Sequence, residues 1–169
     1  SRPFYHSSSI MGLEAINEQT YLAFANHHLS KNHKEISAAA FAYLYHRFDG
    51  ITWYVQYVLN MLYTSITDKP LLEEDDVKFA IDGILAQHRF AYQALIYQLT
   101  AKQKQVLTAI ALEGKPSSLM SQEFLQKYHL GASTVQGAVK TLLDRDFITQ
   151  DEGVYQLCDK FLELSLRAG

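Results

Sequence analysis

The sequence predicts a mainly α-helical chain in two parts, a helical bundle followed by a smaller unit of three helices and a β-hairpin. Glycine and proline are scarce in the 169 residues, at 8 and 3, which favours long helices over a β meander. Residues 1–99 carry helical spacing of apolar side chains throughout. After residue 99, helix caps, glycine stops and two strand patterns follow one another at short intervals. We therefore predict a helical domain over residues 1–98 and a second domain over residues 99–169.

The N-terminal part is predicted to contain four helices. Asn17 is a candidate N-cap of the first, and the second covers residues 36–48. The pair Asp49-Gly50 is a tight turn before a strongly aromatic third helix over residues 52–65. Four acidic residues, Glu73 to Asp76, then stand where a helix start favours negative charge. The helix that they open runs for about 24 residues and leads into the second part.

The C-terminal part is predicted to be a winged helix. Thr100 and Gln103 have capping-box spacing, and Gly114 stops the helix that they open. A short helix over residues 121–128 follows, and Ser133-Thr134-Val135-Gln136 is predicted as a second capping box at the start of the third helix. Two alternating segments around Asp151-Glu152-Gly153 then form a hairpin. Three helices followed by a hairpin is the winged-helix order.

The third helix of this unit is the clearest candidate binding surface. In a helix-turn-helix, the second helix of the pair enters the major groove with its N-terminal residues at the base edges. The predicted solvent face of this helix carries Ser133, Thr134, Gln136, Gly137, Lys140 and Thr141. Serine, threonine and glutamine hydrogen-bond bases or phosphates, and Lys140 neutralises a phosphate. Further backbone contacts would come from Lys102, Lys104, Lys115 and Lys127.

The charge distribution leaves DNA binding and protein binding both open. Residues 1–99 hold 7 Lys/Arg and 10 Asp/Glu, whereas residues 100–169 hold 8 of each, so neither part is strongly basic. The predicted solvent face of the third helix has no arginine, and Asp151 and Glu152 on the wing would repel phosphates. The same face therefore fits either contact with duplex DNA or docking of a protein.

Several other site classes lack their sequence signature. No run of 18 apolar residues exists, so we expect no membrane span, and the lone Cys158 suggests a reducing compartment, the cytoplasm. The histidines, including the adjacent His27 and His28, lack partners at a metal-binding spacing. We find neither a phosphate-binding glycine loop nor a nucleophile motif, and we predict no catalytic or metal-binding residue and no enzyme activity for this chain. The chain does not begin with methionine, and its first residues are typical of the middle of a longer sequence. We therefore take it to be a fragment.

One aromatic cluster, Trp53-Tyr54-Tyr57, has two interpretations. It has the composition of a ligand pocket, but aromatic residues at helical spacing more often belong to a core.

The motifs and their order resemble the C-terminal region of archaeal-type ATPases, a STAND-class branch of the AAA-like P-loop ATPases. The resemblance runs over nearly the whole chain and is carried by Ser1-Arg2-Pro3-Phe4-Tyr5, Ile10-Met11-Gly12-Leu13, His46 to Gln56, Leu99 to Gly114, Ser133 to Gln136, Leu142-Leu143, Asp146-Phe147-Ile148, Tyr155, Asp159 and Phe161. It implies a helical-bundle lid domain followed by a winged-helix domain. It also implies an ATPase core N-terminal to this chain that would hold ATP and Mg²⁺, and a lid turn that places Gly50, Thr52 and Trp53 near the nucleotide. Thr52 stands where the family commonly has proline.

These readings predict a regulatory fragment that contains no cofactor of its own. The lid would respond to nucleotide in the core, and the long helix would pass that state to a winged helix that binds DNA. The alternative is a winged helix used for protein–protein interaction or autoinhibition, without DNA binding. The expected partners are the ATPase core and either duplex DNA or a partner protein, and oligomers are common among such ATPases.

Overall fold

The computed structural model describes residues 16–65 and 69–168, most of which are helical. The chain divides into two compact units between Ala86 and Gln87. The domain boundary predicted between residues 98 and 99 stays a prediction. Two segments of the family resemblance, at residues 1–5 and 10–13, lie outside the described residues. No helix in the described ranges combines the length and apolar character that a membrane span requires.

The N-terminal unit begins with helix α1, Glu18–Leu29. The predicted cap is confirmed, because Asn17 Oδ1 accepts the amides of Gln19 at 3.0 Å and Thr20 at 3.3 Å. A 3₁₀ turn, Ser30–Asn32, follows, and His33 reverses the chain with a φ of 56°. Strand β1, Glu35–Ile36, comes directly after this reversal.

Helix α2, Ala38–Arg47, is shorter than the predicted helix over residues 36–48. Ile36 lies in β1, which pairs in parallel with strand β2, Leu71–Leu72. The amide and carbonyl of Ile36 also bond the side chain of Asn26, at 2.8 and 3.2 Å, so they cannot enter a helical ladder. Ser37 then caps α2. The sequence did not predict this strand pair, because its partners are 36 positions apart.

Helix α3, Thr52–Ser65, has the predicted bounds. It buries one face, formed by Tyr54, Val55, Val58 and Leu62. The buried Lys34 ammonium donates to the Tyr63 carbonyl at 2.9 Å, where a cation is favourable at the C-terminal end of a helix. Tyr54 therefore belongs to the core, as expected for the aromatic cluster, but Trp53 is 50% exposed.

Helix α4, Glu74–Tyr97, has the predicted length, at 24 residues, and starts on the predicted acidic run. Asp76 accepts the amide of Glu73 at 2.7 Å and also the Lys69 ammonium at 2.7 Å. The division between the two compact units falls within this helix.

The C-terminal unit has the winged-helix order. Helix α5, Ala101–Glu113, opens with the predicted capping box: Gln103 N donates to Thr100 Oγ1 at 3.3 Å, and Thr100 N donates to Gln103 Oε1 at 2.9 Å. Gly114 ends it, as predicted. The elements that follow are α6, Gln122–Lys127, α7, Ala132–Asp144, and the antiparallel strands β3, Ile148–Asp151, and β4, Val154–Leu157.

A last helix, α8, Lys160–Ala168, packs against α5 and was not predicted. Asp159 caps it, with Oδ1 accepting the amides of Phe161 and Leu162, while Oδ2 accepts the Tyr92 hydroxyl at 3.0 Å. Near its other end, Arg167 Nε donates to the Ala111 carbonyl of α5 at 2.6 Å. The C-terminal part of α4 and the start of α8 are thereby both tied into this unit.

Candidate nucleic-acid interface

Helices α6 and α7 form the helix-turn-helix of the C-terminal unit. The turn between them contains His129, whose φ of 52° reverses the chain without a glycine. Leu130 follows, buries its side chain and donates its amide to the Leu125 carbonyl at 2.9 Å. This anchored turn sets where α7 begins.

A polar bridge ties the same turn to α5. Glu113 Oε1 accepts the Lys127 ammonium at 2.6 Å and the Tyr128 hydroxyl at 2.7 Å. The hydrogen bond from Lys127, followed by that from Tyr128, lowers the pKa of the Glu113 carboxyl below its ordinary value of 4.5. Burial, followed by the bond to Glu113, raises the pKa of Tyr128. Glu113 is therefore ionised at neutral pH and compensates the charge of Lys127.

Helix α7 buries an apolar stripe of Val135, Ala138 and Leu142 and packs against α5. The opposite face is exposed and carries Ser133, Gln136, Gly137 and Lys140. Thr134 and Thr141 are half-buried at its edges. The Thr141 hydroxyl donates to the Gly137 carbonyl of its own helix at 3.3 Å, so it is directed at the backbone. We call the exposed set Ser133, Gln136, Gly137 and Lys140 the reading face.

The capping box predicted at Ser133 to Gln136 is wrong. The N-cap of α7 is Gly131, and no side chain caps the helix. The cap of α7 lies two positions earlier in the chain than the predicted cap Ser133, so Ser133 and Thr134 lie within the first turn. Uncapped amides and the positive end of the helix dipole therefore lie beside the two hydroxyl residues.

The wing is the β3–β4 hairpin, with Ile148 opposite Leu157 and Asp151 opposite Val154. Its tip residues Glu152 and Gly153 both have positive φ, at 47° and 82°. Asp151 and Glu152 are exposed. The Tyr155 amide donates to the Pro116 carbonyl at 2.9 Å, which ties the wing to the loop after α5. The wing thus presents negative charge, as the sequence predicted.

The four lysines proposed for DNA-backbone contacts lie in different surroundings. Lys127 is paired with Glu113. The Lys104 ammonium lies 5.7 Å from the ring centroid of Tyr97. Lys102 and Lys115 are exposed. Of the predicted cations, Lys140 is the one on the reading face.

The predicted nucleotide-proximal residues lie around the turn before α3, in the N-terminal unit. Gly50 is buried with a φ of 67°, and its amide donates to the Tyr45 carbonyl at 2.8 Å. Thr52 is half-buried as the first residue of α3, a position that also favours proline. The Trp53 ring stacks on the Tyr57 ring, with 5.5 Å between the ring centroids and 8° between the ring planes. Trp53 is thus exposed, Thr52 is half-buried, and Gly50 is buried against the Tyr45 ring.

Other reactive or ligating side chains in the described residues do not assemble a site. In residues 16–65 and 69–168, no three metal-ligating side chains come together. Burial, followed by the charges of Asp146 and Asp159, raises the pKa of the Cys158 thiol to about 11. A thiol with so high a pKa stays protonated at neutral pH and is a weak nucleophile.

Comparison with known proteins supports the winged-helix interpretation. Residues 90–168 match the model of a family described as a probable winged helix domain. The match covers α5 to α8 and the hairpin, together with the C-terminal end of α4. It confirms the winged-helix prediction. The curated proteins and the solved structures contain no match to the chain.

Proposed function

We propose that this chain is the C-terminal regulatory part of a P-loop ATPase, and that its winged helix binds duplex DNA through the reading face. The observation that carries the DNA proposal is the exposed polar face of α7, in which Ser133, Gln136 and Lys140 lie opposite a fully packed apolar stripe. Hydroxyl and amide side chains at the first turn of such a helix are the groups that meet base edges and phosphates. Asp144 lies at the other end of α7, away from the turn that enters a groove first.

The uncapped start of α7 adds to this proposal. Backbone amides at a helix N-terminus bind phosphate well, since their hydrogens and the helix dipole both favour an anion. Ser133 in the first turn places a hydroxyl beside these amides. One phosphate would bind at this end of α7. A second would bind Lys140, which lies on the same face about two turns further along, and the two contacts together would fix α7 on the duplex.

The ATPase part of the proposal rests on the family resemblance of the N-terminal half. By this resemblance, the turn at Gly50 and the half-exposed Trp53 would lie near the nucleotide. ATP and Mg²⁺ would be held by a core outside this chain. Helix α4 begins in the N-terminal unit and ends in the C-terminal unit, and we propose that it carries the nucleotide state from one to the other. We propose the cytoplasm as its compartment.

Lys140→Glu tests the DNA proposal. We expect it to weaken duplex binding at low salt, and Lys140→Gln to reduce the slope of log affinity against log salt by about 0.9. Fluorescence anisotropy with a labelled duplex measures both. Lys31→Glu is the matched control, because it makes the same charge change at an exposed position of the N-terminal unit.

An equal loss in Lys140→Glu and Lys31→Glu would show a non-specific charge effect and contradict the role of the reading face. Absence of duplex binding at low salt would contradict DNA binding altogether.

A second candidate function is protein docking or autoinhibition by the winged helix. The observation that favours it is the balanced charge of residues 100–169 together with the exposed acids on the wing. In that case Ser133→Arg and Gln136→Ala would change partner binding or ATP turnover of the parent protein, with no binding to a duplex at low salt.

Hydrogen exchange in the parent protein checks the coupling. We expect nucleotide to slow exchange in residues 50–60 and 75–99. Unchanged protection there would contradict the lid proposal and leave DNA binding by α7 unaffected.

A further inference from the structure

Two aromatic rings on the C-terminal half of α4 are almost fully exposed. Phe90 is 81% exposed and Tyr97 is 85% exposed, the largest values among the exposed large apolar side chains of the described residues. Residues seven positions apart lie on the same face of a helix, so the two rings share one side of α4, about 10.5 Å apart along its axis. Single exposed apolar side chains are ordinary, whereas apolar patches mark interaction sites, so the informative observation is that two such rings occur together.

Positively charged side chains lie next to these rings in the chain or in space. The segment from Gly83 to Leu112 contains no aspartate or glutamate, in a chain whose net charge is −3. Arg89 is exposed next to Phe90, and the Lys104 ammonium lies 5.7 Å from the centroid of the Tyr97 ring. We call Arg89, Phe90, Tyr97 and Lys104 the aromatic–basic patch.

A third cation adjoins the patch. Arg145 donates from Nη1 to the Gln98 carbonyl at 3.2 Å and from Nη2 to Gln98 Oε1 at 2.7 Å. Gln98 directly follows Tyr97, so this guanidinium is held beside the end of α4. All of these residues belong to the C-terminal unit.

The composition of the patch disfavours a second copy of the chain as its partner. A two-fold dimer places the same patch of both copies together, which would bring Arg89 and Lys104 close to their own equivalents. Gln93 and Ala94 separate the two rings on this face. The apolar area is therefore well below the roughly 800 Å² per partner of a stable interface. A polyanion with flat apolar faces matches the patch better.

We propose that the aromatic–basic patch binds single-stranded nucleic acid, with bases stacked on Phe90 and Tyr97 and phosphates at Arg89 and Lys104. Single strands expose base faces, and every base has a π-face that can stack on an aromatic ring, so such binding tolerates sequence. A duplex hides those faces. The patch therefore selects single strands, and the proposal does not depend on α7 or on the proposed ATPase role.

The test is fluorescence anisotropy of the whole chain with labelled oligothymidylate of about 20 nucleotides, longer than the roughly 4–16 nucleotides that one small domain covers. We expect Phe90→Ala and Tyr97→Ala each to lower the affinity by about fivefold or more. Tyr97→Phe should keep the wild-type affinity. Lys104→Gln should reduce the salt slope by about 0.7, the value for one phosphate of a single strand.

Phe79→Ala is the matched control, because Phe79 is 68% exposed on the same helix but lies in the N-terminal unit beyond the acid-free segment. It should leave binding unchanged. Equal loss in Phe79→Ala and Phe90→Ala, or no binding to oligothymidylate at low salt, would overturn the proposal. Self-association that Phe90→Ala abolishes, measured by sedimentation without any oligonucleotide binding, would replace it with a dimer.

A parallel titration with oligouridylate distinguishes DNA from RNA as the source of the strand, and binding of either supports the patch.

Duplex titrations of the same variants separate this proposal from the function of α7. If Phe90→Ala lowers affinity for the single strand and not for the duplex, the two surfaces act separately. An equal loss for both would overturn the preference for single strands. If no duplex binds while the single strand does, the DNA role of α7 fails and the patch stands.

Discussion

The turn before α3 and the turn at the wing tip have the same local chemistry and very different surroundings. In both, an acidic residue and a glycine have positive φ: Asp49 and Gly50 at 54° and 67°, Glu152 and Gly153 at 47° and 82°. A Cβ placed on Gly50 would lie 2.6 Å from Cζ of Tyr45, whereas one placed on Gly153 would meet no atom within 4 Å. The same backbone geometry is thus enclosed in the N-terminal unit and open in the C-terminal unit. The residues of a turn therefore determine its backbone shape, whereas the atoms packed around it determine which substitutions it tolerates.

The largest expected effect is that of Gly50→Ala. The left-handed backbone and the contact with Tyr45 should together lower the free energy of unfolding by about 3 kcal/mol. Urea unfolding followed by the fluorescence of Trp53, the single tryptophan of the chain and three residues from the turn, measures the change. In a Tyr45→Ala background the cost of Gly50→Ala should fall to about 1 kcal/mol. An unchanged cost in that background would show that the contact is not the cause.

Gly153→Ala should have a smaller effect. Only the backbone term applies at the open wing tip, so we expect a loss of about 1 kcal/mol. Hydrogen exchange of the Thr149 and Gln156 amides, measured by NMR, reports on the hairpin, because these residues form the neighbouring hydrogen-bonded pair of the ladder. A cost as large as that of Gly50→Ala would refute the distinction between an enclosed and an open turn.

The helix-turn-helix turn is a third reversal of the chain, and a side-chain bridge stabilises it in place of a glycine. Its positive-φ residue is His129, and Glu113 holds the adjacent Lys127 and Tyr128. Glu113→Gln should lower the free energy of unfolding by up to about 1 kcal/mol, as for other exposed ion pairs. Exchange of the Leu130 amide, which bonds the Leu125 carbonyl, should accelerate.

This effect should depend on pH. The folded-state pKa of Glu113 lies below its ordinary value of 4.5, so its contribution is present above that value and is lost as pH falls through the folded pKa. The difference between wild type and Glu113→Gln should therefore be present at neutral pH and vanish in strong acid. A difference that persists in acid would show that the charge of Glu113 is not what stabilises the turn.

Much of the fold is readable from the sequence, because its signals act over a few residues. The caps at Asn17 and Thr100, the stop at Gly114 and the hairpin at residues 148–157 all satisfy backbone groups within a few positions of the signalling residue. The apolar stripe of α7 likewise predicts which of its residues face outward. Four of the six predicted face residues form the reading face, and Thr134 and Thr141 are half-buried.

The sequence-based predictions failed where a local pattern was overridden or gave no signal. Ser133 to Gln136 have the spacing of a capping box, but the turn that His129 reverses places Gly131 at the cap. Helix α8 was missed because Asp159, its cap, follows the wing without a glycine or proline to separate the two elements. The aromatic–basic patch also escaped sequence reasoning, since apolar residues on a helix are usually taken as core.

The sequence alone predicts helices α1 to α7, the caps at Asn17 and Thr100, the hairpin and the polar face of α7, because each depends on hydrogen bonds or side-chain spacing within one or two turns. The tertiary structure alone decided that Ile36 pairs with β2, that Gly50 lies beneath Tyr45, that α8 docks on α5, and that Phe90 and Tyr97 stay in water. Except for Gly50, which lies only five residues from Tyr45, these features depend on which distant segments come into contact. The free energy of such contacts is set by complementary surfaces that no local pattern encodes.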